Sequence, residues 1–317
     1  HSAITGATHS TKSHNKEIVK KLANDLMNSK SRSVVMSGVN EIGVQLVINA
    51  INVALNNYGK TINLGNESHK TFADDAAFEA FVKDMKSGSV STAMFVGINL
   101  AYDYYDQESF KTAVKKVKNV VSFSLSKNET TAMSNFVAPM NHVYESWADH
   151  VTTRDEVSIS QPVIQPLFGT RMWAETLLTL MGEKASLYEY VKPYWTGSGG
   201  NWTQLLHDVV MRSDSVVNKT QAGNFNVSNA LTALKKYKAG SGMNFVTYTK
   251  ALGNGDMANN PWIQELPDPI TKATWDNYAM VSPLYAKEHD IKLGDVLELN
   301  MGTKKLELPA LIQPGTE

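Results

Sequence analysis

Short apolar runs alternate with helical spacings of apolar residues along most of the chain. Four runs bounded by glycine or polar residues predict buried strands, at 33–38, 93–97, 120–123 and 135–139. Apolar residues spaced three and four apart predict helices among them, at about 41–58 and 75–86. Strands that alternate with helices imply right-handed parallel crossovers. We therefore expect an α/β fold with a doubly wound, mostly parallel, Rossmann-like sheet.

The pattern at the N-terminus is that of an amphipathic helix. Ile18, Val19, Leu22 and Leu26 fall on one helical face, and several lysines fall on the other. Such a face predicts a helix that packs against another element. The residues before it are polar and patternless, so 1–32 form an N-terminal lead and helix.

The pattern changes class near residue 240. Alternation of apolar and polar residues at 296–299 and 306–308, across Gly302, predicts two antiparallel strands of a small β-barrel. The sequence therefore predicts an α/β domain at 33–240 and a β-barrel domain at 241–317.

A proline-rich strap, 259–275, precedes these strands. Pro261, Pro267 and Pro269 each fix φ and remove a backbone donor, which predicts an extended connector rather than a helix or central strand. Trp262 and its apolar neighbours offer enough surface for the strap to dock firmly.

Composition excludes several classes of function. Thirty basic and 31 acidic residues leave a net charge of −1, which does not favour nucleic acid. The 317-residue chain has no cysteine, so it holds no thiolate metal site or cysteine-ligated cluster. Its longest apolar run, 42–55, is too short and too polar to span a bilayer, so we expect no direct membrane insertion. We expect the chain to be a piece of a longer protein.

A polar cluster at 141–156 contains two histidines and several carboxylates. His142, Glu145 and His150 invite a metal or hydrolase hypothesis, but no H-E-x-x-H spacing is present. Solvated or capping roles are favoured. We expect His142→Ala and Glu145→Ala to change stability or assembly rather than a chemical step.

Four blocks of sequence resemble the molybdopterin oxidoreductases related to polysulfide, thiosulfate and dimethyl sulfoxide reductases. They are 33–60, closing in A-L-N-N-Y-G-K; 95–149, with F-V-G-I-N-L and E-T-T-A-M-S-N-F-V-A-P-M; 161–168, Q-P-V-I-Q-P-L-F; and 259–315, which includes the strap. Their order is that of the family. The resemblance implies a Rossmann-like domain followed by a double-psi-type, pterin-dinucleotide-binding-like barrel.

Three positions depart from the family pattern. Leu100 stands where the family has proline, Asn135 where it has aspartate, and Ala148 where it has glycine. Loss of small or acidic residues at turns facing a pterin leaves the fold intact but removes close backbone approach to a bulky anion. These departures are similar to those of a cofactor-less branch, the large iron–sulfur B subunit of alternative complex III.

The resemblance implies a noncatalytic module of a respiratory electron-transfer subunit in a quinol-oxidising assembly. Such a module is a scaffold for neighbouring subunits and for a downstream iron–sulfur domain. The implied partners are other subunits of a membrane-bound respiratory complex, and the implied location is periplasmic. No cofactor is expected in this chain, whereas iron–sulfur clusters are expected elsewhere in the parent chain.

Two other functions stay open. The chain is alternatively a fragment of the catalytic subunit of an active molybdopterin oxidoreductase, which binds a bis-pterin guanine dinucleotide. The residues that would then bind the cofactor are Ser37, Gly38, Asn40, Asn99, Glu129 and Thr130. The third candidate is an unrelated α/β protein that binds a nucleotide or sugar at the Gly38 turn, although G-V-N-E-I-G lacks the P-loop and dinucleotide signatures. No residue is assigned a catalytic or metal-binding role.

Overall fold

The computed structural model describes most of the chain and divides it into two compact units, His1–Met243 and Asn244–Glu317. The described residues are 15–64, 73–153, 156–197, 199–212, 227–236, 243, 245–250, 253, 255, 257–302 and 304–316. The architecture is mixed α/β, as the sequence predicts. The polar lead and the predicted boundary between residues 240 and 241 lie outside the described residues.

The first unit contains ten described α-helices, one short 3-10 helix (Val143–Glu145) and six described strands. The helices are α1 (Lys16–Asn28), α2 (Ile42–Ala54), α3 (Asp75–Ser87), α4 (Leu100–Asp103), α5 (Gln107–Val114), α6 (Glu129–Ala132), α7 (Trp173–Leu180), α8 (Leu187–Gly197), α9 (Trp202–Asp208) and α10 (Val227–Lys236). The strands are β1 (Thr92–Val96), β2 (Asn119–Ser124), β3 (Phe136–Pro139), β4 (Ala148–Thr153), β5 (Glu156–Ser160) and β6 (Val210–Arg212).

The strands β1, β2 and β3 form a parallel sheet in that order, which confirms the predicted strands near 93, 120 and 136. Its order follows the chain in one direction, so the described strands show no doubly wound reversal. Helix α3 begins where Asp74 accepts a hydrogen bond from the Ala77 N–H and ends at Gly88, as its apolar spacing predicts. The core under the sheet includes Phe95, Phe110, Val120, Met85, Ala113 and Val114.

The predicted strand at 33–38 is not formed. The backbone of Val35 is hydrogen-bonded to the side chain of Asn52. The Val35 N–H donates to Asn52 Oδ1 at 3.0 Å, and Asn52 Nδ2 donates to the Val35 carbonyl at 2.8 Å. Asn52 lies on α2, so a helix side chain satisfies the groups that a neighbouring strand would otherwise pair. The segment is extended but unpaired with any described strand.

Helices α2 and α10 approach each other closely at Gly43. A Cβ at this position would lie 2.5 Å from the Leu234 backbone nitrogen, so only glycine permits the contact. Helix α1 differs, because only Ala23 of its residues is buried. The expected packing of its apolar face is therefore wrong for Ile18 and Leu22, which are exposed.

A second sheet follows the first and was not predicted. Strands β4, β5 and β6 are antiparallel in that order. Ile159 of β5 packs in a small core with three residues of α8 and α9, Val191, Trp202 and Leu205. Much of the predicted polar cluster is thus strand β4 and the turn before it.

The second unit contains α11 (Pro261–Gln264), β7 (Ala279–Val281), α12 (Pro283–Glu288), β8 (Val296–Met301) and β9 (Lys304–Ile312). The predicted hairpin is confirmed, because β8 and β9 are antiparallel with Leu297 opposite Leu308. Strand β7 pairs with β9 in parallel, which gives the order β7-β9-β8. The strands described in this unit form an open three-stranded sheet, and no closed barrel is detected among them.

The proline strap is not wholly extended. It begins with the single helical turn α11, because Pro261 occupies the first helical position, where its missing N–H is not needed. Asp268 then organises a turn by accepting hydrogen bonds from the Ile270 and Thr271 N–H groups. The expected firm docking of the strap is wrong for Trp262, which is 85% exposed.

Candidate functional site

The carboxyl ends of β1 and β2 lie side by side because the strands are parallel. Gly97, directly after β1, has φ of +64°, a left-handed conformation that favours glycine. Its N–H donates to the Phe123 carbonyl at 2.9 Å. This turn places Asn99 just before α4 and beside the first residues of α6. In parallel α/β sheets this edge is where ligands bind.

Three of the six predicted cofactor residues meet at this edge. Asn99 Nδ2 donates to Glu129 Oε2 at 2.7 Å, and Asn99 Oδ1 accepts from the Thr130 N–H at 3.1 Å and hydroxyl at 3.0 Å. The buried Thr130 Oγ1 also accepts from the Ala101 N–H at 3.0 Å. We call Asn99, Glu129 and Thr130 the edge group.

Helix α6 holds the edge group because of a capping box. Asn128 Oδ1 accepts from the Thr131 N–H, and Thr131 Oγ1 accepts from the Asn128 N–H, each at 2.8 Å. The Asn99 amide, followed by backbone N–H donation, holds the pKa of the Glu129 carboxyl below its ordinary value. Glu129 is therefore ionised at neutral pH, and the edge group carries a negative charge.

The other three predicted residues, Ser37, Gly38 and Asn40, belong to a separate loop. The Ser37 hydroxyl accepts from the Val39 N–H at 3.2 Å, and Gln45 donates to two carbonyls of the loop. A Cβ at Gly38 would meet no atom within 4 Å, and its φ is not left-handed. No hydrogen bond between described residues joins this loop to the edge group.

A polar cleft of about 350 Å³ lies beyond the carboxyl end of β3. It lies close to that strand end because the Arg171 N–H donates to the Pro139 carbonyl, and Met140 bridges to Arg171. None of the six predicted cofactor residues lines it. The lining residues are Asn141, Glu145, Trp147, Pro162, Ile164, Gln165, Pro166, Thr170, Arg171, Met172 and Glu175.

Glu145 in this cleft is a structural carboxylate. Its Oε2 accepts from the His142 N–H at 2.8 Å, and its Oε1 accepts from the Leu167 N–H at 2.9 Å. These donors, Leu167 first, hold the pKa of Glu145 below its ordinary value. His142 Nδ1 in turn accepts from the Tyr144 N–H at 3.2 Å. Both side chains therefore act as the caps that the sequence favours.

Arg171 was not predicted as a site residue, and Asn141 was predicted only as part of the polar cluster. Arg171 reaches the end of β3 only through tertiary pairing, and no local motif marks it. Asn141 Oδ1 is buried without a hydrogen-bond partner among the described residues. The alternation of E-V-S-I-S at β5 was the available signal for the sheet beside the cleft.

The described residues show neither a metal site nor a membrane span. They contain no group of three or more acidic or histidine side chains placed to hold a metal ion. None of the helices described is long and apolar enough to cross a bilayer.

Comparisons with known proteins identify a fold but no family. No protein-family model matches the sequence, and no curated protein matches it. Among solved structures, the chain is similar to acetylene hydratase from Pelobacter acetylenicus, with a TM-score of 0.51 and 14% identity. The match covers 75% of this chain and 38% of that chain. At this identity the match shows a shared fold, and the chain corresponds to well under half of the hydratase.

Proposed function

We propose that this chain is a noncatalytic, molybdopterin-oxidoreductase-like module of a respiratory electron-transfer subunit. In this proposal it belongs to a quinol-oxidising assembly of the alternative complex III type, in the periplasm. It serves as a scaffold for neighbouring subunits and for a downstream iron–sulfur domain of the same parent chain. Its C-terminal unit is the counterpart of the family's double-psi-type barrel.

The fold likeness supports the family part of the proposal. Acetylene hydratase is a molybdopterin-family enzyme, and three quarters of this chain aligns with it. The order of the sequence blocks at 33–60, 95–149, 161–168 and 259–315 gives an independent reason to choose the same family. A shared fold does not establish an activity, so the choice between a noncatalytic module and an enzyme depends on the geometry of the site.

One observation carries the noncatalytic part: the edge group is hydrogen-bonded within itself. The Asn99 amide donates to Glu129, and the Thr130 N–H and hydroxyl donate to Asn99. A dinucleotide needs free donors for its phosphates. In this arrangement the three residues of the edge group do not fit a pterin guanine dinucleotide.

The test is the content of molybdenum, pterin and iron in the intact parent assembly purified from its native host. We expect molybdenum and pterin far below one equivalent per chain, together with several equivalents of iron. A known molybdopterin enzyme purified and extracted in parallel shows that the pterin survives the procedure. Stoichiometric pterin in the assembly would contradict the proposal.

A second candidate is the fragment of an active catalytic subunit that binds a bis-pterin guanine dinucleotide. It is favoured by the structural likeness to an enzyme, acetylene hydratase. In this candidate the edge group opens and its donors turn to the cofactor. Asn99→Ala in the parent chain then lowers the pterin content, whereas in the proposed module it changes only stability.

A further inference from the structure

Five exposed apolar residues lie in the two segments that also supply lining residues to the cleft beyond β3. Val143 and Tyr144 lie on the turn before β4. Val163, Leu167 and Phe168 lie on the proline-containing connector 161–168, which follows β5. The connector residues are 72%, 70% and 78% exposed, and both turn residues are also exposed. We call these five residues the rim surface.

The rim surface is held in a fixed shape. The Val163 and Ile164 N–H groups both donate to the Tyr144 carbonyl, at 2.8 and 3.1 Å. Glu145 fastens the Leu167 N–H to the same turn at 2.9 Å. Pro162 and Pro166 further restrict the connector. A preorganised apolar surface loses little conformational entropy on binding, which is a property of protein docking sites.

The charged residues that line the cleft are two carboxylates and one arginine. Both carboxylates that line it are engaged by backbone N–H groups: Glu145 by His142 and Leu167, and Glu175 by Leu187 at 3.0 Å. The Arg171 guanidinium, by contrast, has no hydrogen-bond or ion-pair partner among the described residues. Among the charged residues that line the cleft, the one without such a partner is therefore a cation, and the complementary group is a carboxylate.

We infer that the rim surface and Arg171 form a docking site for another protein chain, which offers apolar side chains to the rim and an aspartate or glutamate to Arg171. This inference rests on the proposed function, since it names the surface with which the scaffold holds a neighbouring subunit. Exposed aromatic residues around an arginine are the residue types that dominate binding energy in protein interfaces.

The same observations disfavour two other occupants. A second copy in a two-fold contact would present an identical surface, whose carboxylates are already engaged and whose free charge is again Arg171. A lipid surface gives apolar contact but has no shape that matches a cleft of about 350 Å³. A partner polypeptide can fill the cleft with a side chain and supply the missing carboxylate.

The test is site-specific photocrosslinking in the intact parent assembly in its native host. Benzoylphenylalanine replaces Phe168 in one variant and Tyr190 in the control, because Tyr190 is an aromatic residue on α8 that is 51% exposed in the same unit. We expect the Phe168 probe, and not the Tyr190 probe, to crosslink a different polypeptide of the assembly at a segment that contains aspartate or glutamate.

A second variant checks the charge. Arg171→Ala should lower the crosslink yield from position 168 by about tenfold, the size typical of a dominant interface residue, while Arg171→Lys retains part of it. Crosslinks only to lipid, only to another copy of this chain, or to nothing would overturn the inference. If Arg171→Ala does not fold, the crosslinks from the Phe168 probe still test whether a partner chain binds this surface. The scaffold proposal would survive those results, because it is tested separately by pterin content.

Discussion

The edge group and the rim surface lie beyond neighbouring strands of one parallel sheet but differ in how their polar groups are used. In the edge group, Asn99, Glu129 and Thr130 satisfy one another at 2.7–3.1 Å. Beside the rim surface, Arg171 has no described partner, and apolar side chains such as Phe168 are exposed. The residues expected to hold a ligand are hydrogen-bonded to one another, whereas the residues beyond β3, for which no ligand was expected, are exposed.

This difference teaches where to look for function when the residues expected to bind a ligand are hydrogen-bonded to one another. A ligand site needs free donors in a cleft, and a docking site needs fixed apolar groups with an unmatched charge. The first requirement is not met at the edge group. The second is met around the cleft beyond β3.

The largest effect is expected beneath the edge group. Phe110 is fully buried and its ring centroid lies 5.7 Å from that of Phe95. We expect Phe110→Ala to lower the free energy of unfolding by about 3–5 kcal/mol, measured by urea denaturation. The matched control is Phe136→Ala on β3, which is exposed and should cost much less. Equal losses would show that the core does not lie where the structure places it.

Thr130→Val tests whether the edge group is closed. The change removes the hydroxyl that donates to Asn99 and accepts from the Ala101 N–H, so we expect a loss of about 1–3 kcal/mol of stability. Thr130→Ser keeps the hydroxyl and should cost less. If Thr130→Val is as stable as the wild type, the hydroxyl does not close the group as described.

Glu145 gives a pH dependence on the open side. Its pKa is lowered in the folded chain. The contribution of the ionised carboxylate to folding stability is therefore present in full above the ordinary pKa of 4.5, and it is lost as the pH falls through the lowered pKa of the folded chain. The stability difference between wild type and Glu145→Gln should therefore shrink below about pH 4.5. Urea denaturation at several pH values measures it, and a difference that grows towards acid pH would contradict this sign.

The smallest effect on stability is expected at the rim surface. Phe168→Asp places a charge on a side chain that is already in water, so the unfolding free energy of the chain should change by at most about 0.5 kcal/mol. In the intact assembly the same variant should lose the neighbouring subunit. A large loss of stability in the chain alone would mean that Phe168 supports the fold rather than docking.

The sequence predicted the elements whose packing is local. Helix α3 and strands β1 and β2 follow directly from apolar spacing, and the β8–β9 hairpin from alternation around Gly302. The prediction of a strand at 33–38 was wrong because the side chain of Asn52, 17 residues away, makes the hydrogen bonds to Val35 that a neighbouring strand would make. Strand β7 was missed because its three residues are defined only by pairing with β9.

The candidate site divides in the same way. Asn99 and Glu129 could be brought together in prediction, since both follow parallel strands and such ends share an edge. Arg171 could not, because its place beside β3 depends on pairing between Met140 and a distant loop. Nor could a sequence show that the Asn99 amide donates its hydrogen bond to Glu129 instead of to a ligand. Whether the six predicted residues bind a cofactor stays a prediction.

The most direct test of the contrast between the edge group and the rim surface is a cryo-electron microscopy map of the intact parent assembly. The account predicts polypeptide density from another subunit over Phe168 and Arg171, and Asn99 still donating to Glu129 with no pterin density beside it. Density for a pterin dinucleotide at Asn99, with the rim surface bare, would contradict it.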